Sequence, residues 1–192
     1  MAIDPELDIT QLLHAAESGD DEARDEVWRA VYDELRAIAH REWWREKNGR
    51  TLQATALVHE VWVRLKCPNN GWASREQFLG FAANVMREII ADDAIRRVRL
   101  KRGGGRKRVD IDKVGFKMPA ADREPAEIVA VHELIERLAK LNERQAKVII
   151  CRYFGGMTID ETAKALCIGA RTVQADSAIA AAWLRKELAS TY

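Results

Sequence analysis

Apolar residues recur at helical spacing through most of the chain, with polar residues between them. In the N-terminal half this period predicts helices over about 9–18, 20–47, 55–66 and 75–102. In the C-terminal half it predicts four shorter helices, over about 125–140, 143–154, 159–166 and 170–188. No two segments alternate with the period of two that paired strands require, so we predict an all-α fold.

Polar residues that can cap a helix stand where several of these helices begin. Ser74 is followed three residues later by Gln77, and Thr158 by Glu161. This spacing predicts capping boxes, in which each side chain satisfies a free backbone N–H of the first turn. Asn142 is placed to cap the helix that begins at 143.

Three consecutive glycines, Gly103 to Gly105, end the long helix in the middle of the chain. We interpret residues 103–125 as a flexible linker between two helical domains, 1–102 and 126–192. A flexible chain of this length has an r.m.s. span of roughly 25–30 Å. The sequence leaves open whether the two domains contact one another.

The last two predicted helices have the spacing of a helix-turn-helix. The helix over 159–166 is short, and only Cys167, Ile168 and Gly169 separate it from the next one. In a DNA-binding motif the N-terminus of the second helix would face DNA, with Arg171, Thr172 and Gln174 available for contacts. An ordinary helical hairpin is the alternative interpretation.

The net charge of +1 conceals two segments of opposite charge. Residues 1–40 carry 3 basic and 11 acidic side chains, whereas residues 87–108 carry 9 basic and 3 acidic ones. Cations at a helix C-terminus are favoured by the helix dipole, but an excess of this size favours nucleic acid as the partner. Just before the basic helix, Trp72 lies in a polar loop with Asn69 and Asn70. Its ring could stack on an unpaired base or fold back on the domain.

Catalytic patterns are missing from the sequence. His59-Glu60 and His132-Glu133 are adjacent pairs that diverge around a helix, and three widely spaced cysteines form no CxxC pair. We therefore predict no catalytic residues, no metal site, no cofactor and no enzyme activity. The N-terminus has no apolar signal core and no apolar run reaches the ~20 residues of a membrane span, so we expect a cytoplasmic protein without membrane insertion.

Five segments together resemble one known family, the extracytoplasmic-function (ECF) subfamily of RNA polymerase sigma factors. Residues 55–65, 78–90 and 96–105 resemble sigma region 2, and residues 141–163 and 183–188 resemble sigma region 4. The resemblance covers nearly the whole chain in the family's order. It implies a region 2 bundle and a region 4 helix-turn-helix. The implied function is a bacterial initiation factor that directs core RNA polymerase to promoters.

The resemblance also implies partners and binding residues. The helix over 55–66 would dock on the clamp helices of the polymerase β′ subunit through His59, Glu60, Val63 and Arg64. Residues that would capture and approach an unpaired base of the minus-ten element are Asn69, Asn70, Trp72, Asn84 and Arg87. Arg96, Arg97 and Arg99 would hold phosphates, and Arg171, Thr172 and Gln174 would contact the minus-thirty-five element. An anti-sigma factor is a further candidate partner, which the sequence does not name.

The chain departs from the family pattern in the helix-turn-helix. Cys167 and Gly169 stand where the family usually has a glycine in the turn and a serine-like cap, and a residue other than glycine is strained there only if its φ is positive. Residues 171–182 contain a single basic side chain, whereas relatives carry several. We therefore expect a weak minus-thirty-five interaction, with the alanine-rich surface packing on another protein or on the N-terminal domain instead. Two alternatives stay open: a sigma-like protein-interaction regulator with weakened promoter reading, and a stand-alone helix-turn-helix repressor.

Overall fold

A computed structural model of the chain describes residues 11–12, 15, 18, 21–39, 54–65, 73–100 and 124–190. The helices, numbered in chain order, are α1 Asp21–Ala39, α2 Ala54–Leu65, α3 Arg75–Leu100, α4 Pro125–Leu141, α5 Glu143–Ile149, α6 Ile159–Leu166 and α7 Ala170–Ser190. A π-helical turn, Ile150–Phe154, continues α5. These residues include no strand, which confirms the all-α prediction. Most of the predicted helix over 9–18, residues 40–47 and nearly all of the predicted linker lie outside the described residues.

We refer to α1–α3 as the N-terminal unit. Helical spacing in the sequence predicts an apolar stripe of Val27, Val31, Leu35 and Ile38 on α1, and all four side chains are buried. The stripe faces α2, and the edge of this contact is closed by the rings of Trp28 and Trp62, whose centroids are 4.6 Å apart. Trp62 thus packs against the core, as its place on the apolar face predicts.

The long helix α3 is buried on more than one side, which the sequence pattern did not predict. Helical spacing in this segment of the sequence predicts that Phe78, Phe81, Ala82, Val85 and Ile89 point inward, and all of them except Phe81 are buried. The prediction for Phe81 is wrong, since this side chain is 40% exposed, and Leu79, Ala83 and Met86 are buried in addition. A helix that packs on one neighbour needs one apolar stripe, but α3 has neighbours on opposite sides.

We refer to α4–α7 as the C-terminal unit. Pro125 begins α4, as predicted, and Asn142 ends α4 and caps α5 by accepting the Gln145 N–H at 3.1 Å. The π-helical turn is a departure from the predicted regular helix, and it ends at Gly155. The capping box of Thr158 and Glu161 is confirmed, with both reciprocal hydrogen bonds present.

The two units form one continuous core. α3 contacts α1 and α2 on one side, and α4, the π-helical turn and α6 on the other. Buried residues of both units belong to the same apolar cluster, for example Met86 of α3 and Ile135 of α4. The question that the sequence left open is answered by this packing: the C-terminal unit lies directly against α3.

The helix-turn-helix connection contains a strained residue. Cys167 has φ 53° and ψ 42°, which is the left-handed conformation. Its geometry lets the Ile168 N–H bond the Ala163 carbonyl at 3.0 Å, while the Gly169 carbonyl accepts the N–H groups of Thr172 and Val173. A residue with a β-carbon in this conformation destabilises the fold by roughly 1–2 kcal/mol. The positive φ of Cys167 therefore means that the turn is strained.

Replacing this residue tests the strain. Cys167→Gly is expected to have a free energy of unfolding about 1 kcal/mol higher than Cys167→Ala, because glycine adopts a positive φ without a clash. Both variants remove the thiol, so the comparison isolates the backbone conformation. Urea unfolding followed by circular dichroism measures the difference. Equal stability of the two variants would contradict a strained turn.

Candidate nucleic-acid interface

The residues predicted to capture an unpaired base divide into two groups. Asn69, Asn70 and Trp72 lie outside the described residues. Just after them, Ser74 Oγ accepts the Gln77 N–H at 3.2 Å and so caps α3. Gln77 Oε1 reaches back to the N–H of Ala73 instead of Ser74, a small change from the predicted capping box. The second group, Asn84 and Arg87, lies further along α3.

Asn84 and Arg87 lie at the contact between α3 and α4. Arg87 is only 4% exposed, and its Nε and one terminal nitrogen donate to Asn84 Oδ1 at 3.2 and 3.1 Å. The guanidinium also bonds His132 Nδ1 at 2.7 Å and Glu136 Oε1 at 2.9 Å, both on α4. Asn84 donates in turn to Glu88 at 2.9 Å. We call Asn84, Arg87, Glu88, His132 and Glu136 the Arg87 cluster.

The cluster fixes the protonation state of His132. A guanidinium has only donors, so Nδ1 of the ring is the acceptor and the ring is neutral, with its proton on Nε2. Burial, and then the positive charge of Arg87, lower the pKa of His132, although Glu136, Asp92 and Glu88 oppose the shift. His132 and Glu136 were missed as site residues. Their signal in the sequence was a polar pair four residues apart on the predicted helix over 125–140.

The arginines near the end of α3 are accessible to different degrees. Arg96 and Arg99 are exposed, one turn apart on the helix. Arg97 is half-buried and forms an ion pair with Asp93 at 2.6 Å. The rest of the basic segment, from Lys101 onward, lies outside the described residues. Arg96 and Arg99 are therefore accessible for the predicted phosphate contacts. Arg97 would have to leave Asp93 before it could bind a phosphate.

The four residues predicted to bind polymerase share the outer face of α2. His59, Glu60, Val63 and Arg64 are all exposed, and Val63 exposes 66% of its surface. The His59 ring lies beside Trp28, with 5.6 Å between centroids, and Arg64 pairs with Glu60 at 3.7 Å. Exposed ion pairs of this kind contribute little to stability, so they leave this face free to bind a partner.

The predicted DNA-contacting residues of the helix-turn-helix lie in the first turn of α7. Arg171 and Gln174 are exposed and Thr172 is half-buried, while Val173 is fully buried, as predicted for an inward position. Beyond this turn, as far as residue 182, the exposed side chains of α7 are the apolar Ala175, Ala178, Ile179 and Ala182. These side chains are exposed, so among the described residues this face is not buried against the N-terminal unit. Arg185 and Lys186 are exposed further along the helix.

Asp176 has a structural role that the sequence did not reveal. Its carboxylate is buried and accepts from Arg144 Nε at 2.6 Å, from a terminal nitrogen of Arg144 at 3.3 Å and from Gln145 Nε2 at 3.4 Å. Hydrogen bonds from Arg144, more than any other cause, lower the pKa of Asp176. The carboxylate therefore joins α7 to α5 and does not oppose DNA on the outer face.

Among the described residues, no group of His, Cys, Asp or Glu side chains is arranged to hold a metal ion. None of the helices within the described ranges is both long and apolar enough to cross a membrane.

Comparison with known proteins adds to this geometry. A search of the curated proteins found no match. A family model described as "ECF sigma factor" matches residues 6–190, which is nearly the entire chain and includes every helix described above. The all-α architecture, the helix-turn-helix and this match agree. The chain belongs to the ECF sigma factor family.

Proposed function

We propose that this protein binds core RNA polymerase through α2 and promoter DNA through α3 and α7, and so directs transcription initiation. The observation that carries the proposal is the family match over residues 6–190, which includes both helical units. On the same family grounds we propose an anti-sigma factor as a further partner and the cytoplasm as the location.

The polymerase contact is supported by the exposed face of α2. Val63 is 66% exposed in the middle of this face, where a docking partner would bury it. Charged residues on both sides of it, Glu60 and Arg64, suit the polar rim of a protein interface. We therefore assign this face to the β′ clamp helices.

Promoter opening is assigned to the segment before α3 and to α3 itself. Capturing a base from the non-template strand costs a few kcal/mol of unstacking, which stacking on an aromatic ring and hydrogen bonding can offset. Trp72, Asn69, Asn70, Asn84 and Arg87 have the side chains for this task. Arg96 and Arg99 would grip the neighbouring phosphates.

Weak binding of the minus-thirty-five element is supported by the ion pairs around α7. Arg144 is bound to Asp176, and Lys164 of α6 lies 3.4 Å from Glu76 of α3. Two nearby cations are thus already paired within the protein, which leaves Arg171 as the basic side chain in the first turn of α7. Few phosphates would be neutralised by such a surface.

A second candidate function is a sigma-like protein-interaction regulator. The specific observation that favours it is the apolar outer face of α7, where Ile179 is 56% exposed. A helix that binds in the groove of promoter DNA would carry basic residues at these positions, whereas a helix that docks on a protein would carry apolar ones.

Transcription with purified components separates the candidates. We expect the protein and core polymerase together to produce run-off transcripts from a subset of a genomic promoter library. Core polymerase alone serves as the control. Polymerase binding without any transcript would favour the regulator, and DNA binding without polymerase binding would favour a stand-alone repressor.

The α2 surface gives a matched pair of variants. Val63→Asp is expected to weaken binding to core polymerase by at least about tenfold, because it places an unpaired charge inside the proposed contact. Ala37→Asp makes the same change of charge at an exposed position of α1 and should bind normally. Fluorescence anisotropy with labelled protein measures both affinities. Equal affinities would remove α2 from the proposal.

The two promoter elements are expected to contribute unequally. With a promoter found in the library, replacing the minus-thirty-five element should lower the transcription rate less than about tenfold, because few phosphates are neutralised there. Replacing the minus-ten element should abolish the transcript. A larger loss from the minus-thirty-five replacement would show that α7 reads DNA strongly despite its alanine-rich face.

A further inference from the structure

The interface between the two units covers part of the proposed promoter-binding helix. α3 is the only described helix of the N-terminal unit with extensive packing on α4, the π-helical turn and α6. Three kinds of contact hold it there: the Arg87 cluster, a close packing of small residues, and two polar contacts near the start of α3.

The Arg87 cluster ties the proposed DNA-binding residues to the C-terminal unit. Arg87 reaches His132 and Glu136 across the interface, and its bonds to Asn84 keep that amide turned toward it. A guanidinium that is 4% exposed cannot approach a phosphate or a base edge. In this arrangement Arg87 and Asn84 are therefore not free to contact nucleic acid.

Small residues allow close approach of the two units. A β-carbon at Gly80 of α3 would lie 3.2 Å from Cys151 Sγ and 3.8 Å from Ala165 of α6. In the C-terminal unit, a β-carbon at Gly155 would lie 2.8 Å from the Cys151 carbonyl of the same unit and 3.3 Å from the Ala83 β-carbon of α3. Protein interiors tolerate added volume poorly, so these positions make the fit between the units sensitive to a single side chain.

Polar contacts at the N-terminal end of α3 complete the interface. The carboxylate of Glu76 is buried and lies 3.4 Å from Lys164 Nζ of α6. Gln77 Nε2 donates to Cys167 Sγ at 3.4 Å, which connects the cap of α3 to the turn of the helix-turn-helix. Each of these polar groups can be hydrated if the units separate, so they oppose opening less than the shared apolar core does.

We propose that this interface is an autoinhibitory contact, which keeps Arg87 buried and Asn84 hydrogen-bonded to it until the C-terminal unit separates from α3. The inhibitory consequence rests on the proposed function, whereas the closed arrangement itself does not. A protein that binds DNA only when open has an apparent affinity reduced by the fraction of open molecules.

Acidification is expected to favour opening. His132 faces Arg87, Glu88 and Asp92 of α3 and Glu136 of its own helix. Its pKa is lowered in the closed form, so the open form takes up a proton more readily. Neutral His132 stabilises the closed form fully at pH values above about 6.5, the ordinary pKa of histidine. This stabilisation is lost as the pH falls below that value.

A disulfide can hold the interface closed. Gly80→Cys places a thiol next to the native Cys151, in a background with Cys67→Ser and Cys167→Ser. Diamide accepts the two hydrogens and two electrons of the thiol pair, and dithiothreitol reverses the reaction. Burial raises the pKa of Cys151 to about 11, so this thiol reacts slowly unless a partner is adjacent. We expect an intramolecular disulfide in Gly80→Cys and none in Gly80→Ser.

Binding of single-stranded DNA then measures the inhibition. The probes are a fluorescein-labelled 20-nucleotide strand of random sequence and the non-template strand of a promoter from the transcription experiment. We expect the oxidised Gly80→Cys protein to bind at least about tenfold more weakly than the same protein after reduction. Equal binding by the oxidised and reduced forms would overturn the proposal. The proposal would also be overturned if the disulfide did not form and Glu136→Gln bound the strand like the unmodified protein.

One variant opens the interface without changing a proposed DNA-binding residue, and a second variant serves as its control. Glu136→Gln removes the carboxylate that meets Arg87, and we expect roughly three- to tenfold tighter binding of the strand. Glu133→Gln removes the same charge from an exposed position of the same helix and should bind like the unmodified protein. If the two variants bind equally, the Arg87 cluster does not control access.

The pH response has its own control. When the pH is lowered from 7.5 to 5.5, the affinity of the unmodified protein for the strand should rise more than that of His132→Gln. The glutamine amide oxygen can accept a hydrogen bond from Arg87, but the side chain does not titrate. Identical pH profiles would remove His132 from the proposal. If the proposed function fails while the contact exists, the disulfide forms but neither redox form binds the strand. If the function holds and the contact does not inhibit, both forms bind equally.

Discussion

A guanidinium ion between two helices must have its hydrogen bonds made and its charge met, and Arg87 obtains both only while α3 lies against α4. This requirement links two parts of the chain that are separated by the undescribed residues 101–123. It also determines the neutral state of His132 and the orientation of Asn84. Gly80 and Gly155 belong to the same interface, where they allow the two units to approach closely.

The helix-turn-helix depends on a second buried charge. Asp176 holds α7 on α5 through Arg144, while Cys167 accepts a left-handed conformation so that α6 and α7 meet in a short turn. These features preserve the geometry of a DNA-binding motif. The outer face of α7, however, is mostly alanine and isoleucine. Geometry and surface chemistry have thus diverged in this unit, which is why we assign the larger part of promoter recognition to α3.

Local signals in the sequence predicted local structure well. The caps at Ser74, Asn142 and Thr158 and the apolar stripe of α1 could be predicted because each involves residues a few positions apart. The burial of Arg87 could not, since its partners are 45 and 49 residues away and nothing in a single sequence pairs them. Phe81 was placed incorrectly for a related reason: one apolar stripe was assumed for a helix with two packed sides.

Gly80 has a consequence beyond packing. A residue without a side chain at a tight contact can be replaced by a graded series of larger ones, each of which would weaken closure by a different amount. None of these replacements would alter a residue that we assign to DNA or polymerase. Evolution could therefore adjust the resting activity of such a protein at this one position, while its promoter preference and its choice of partner enzyme stayed the same.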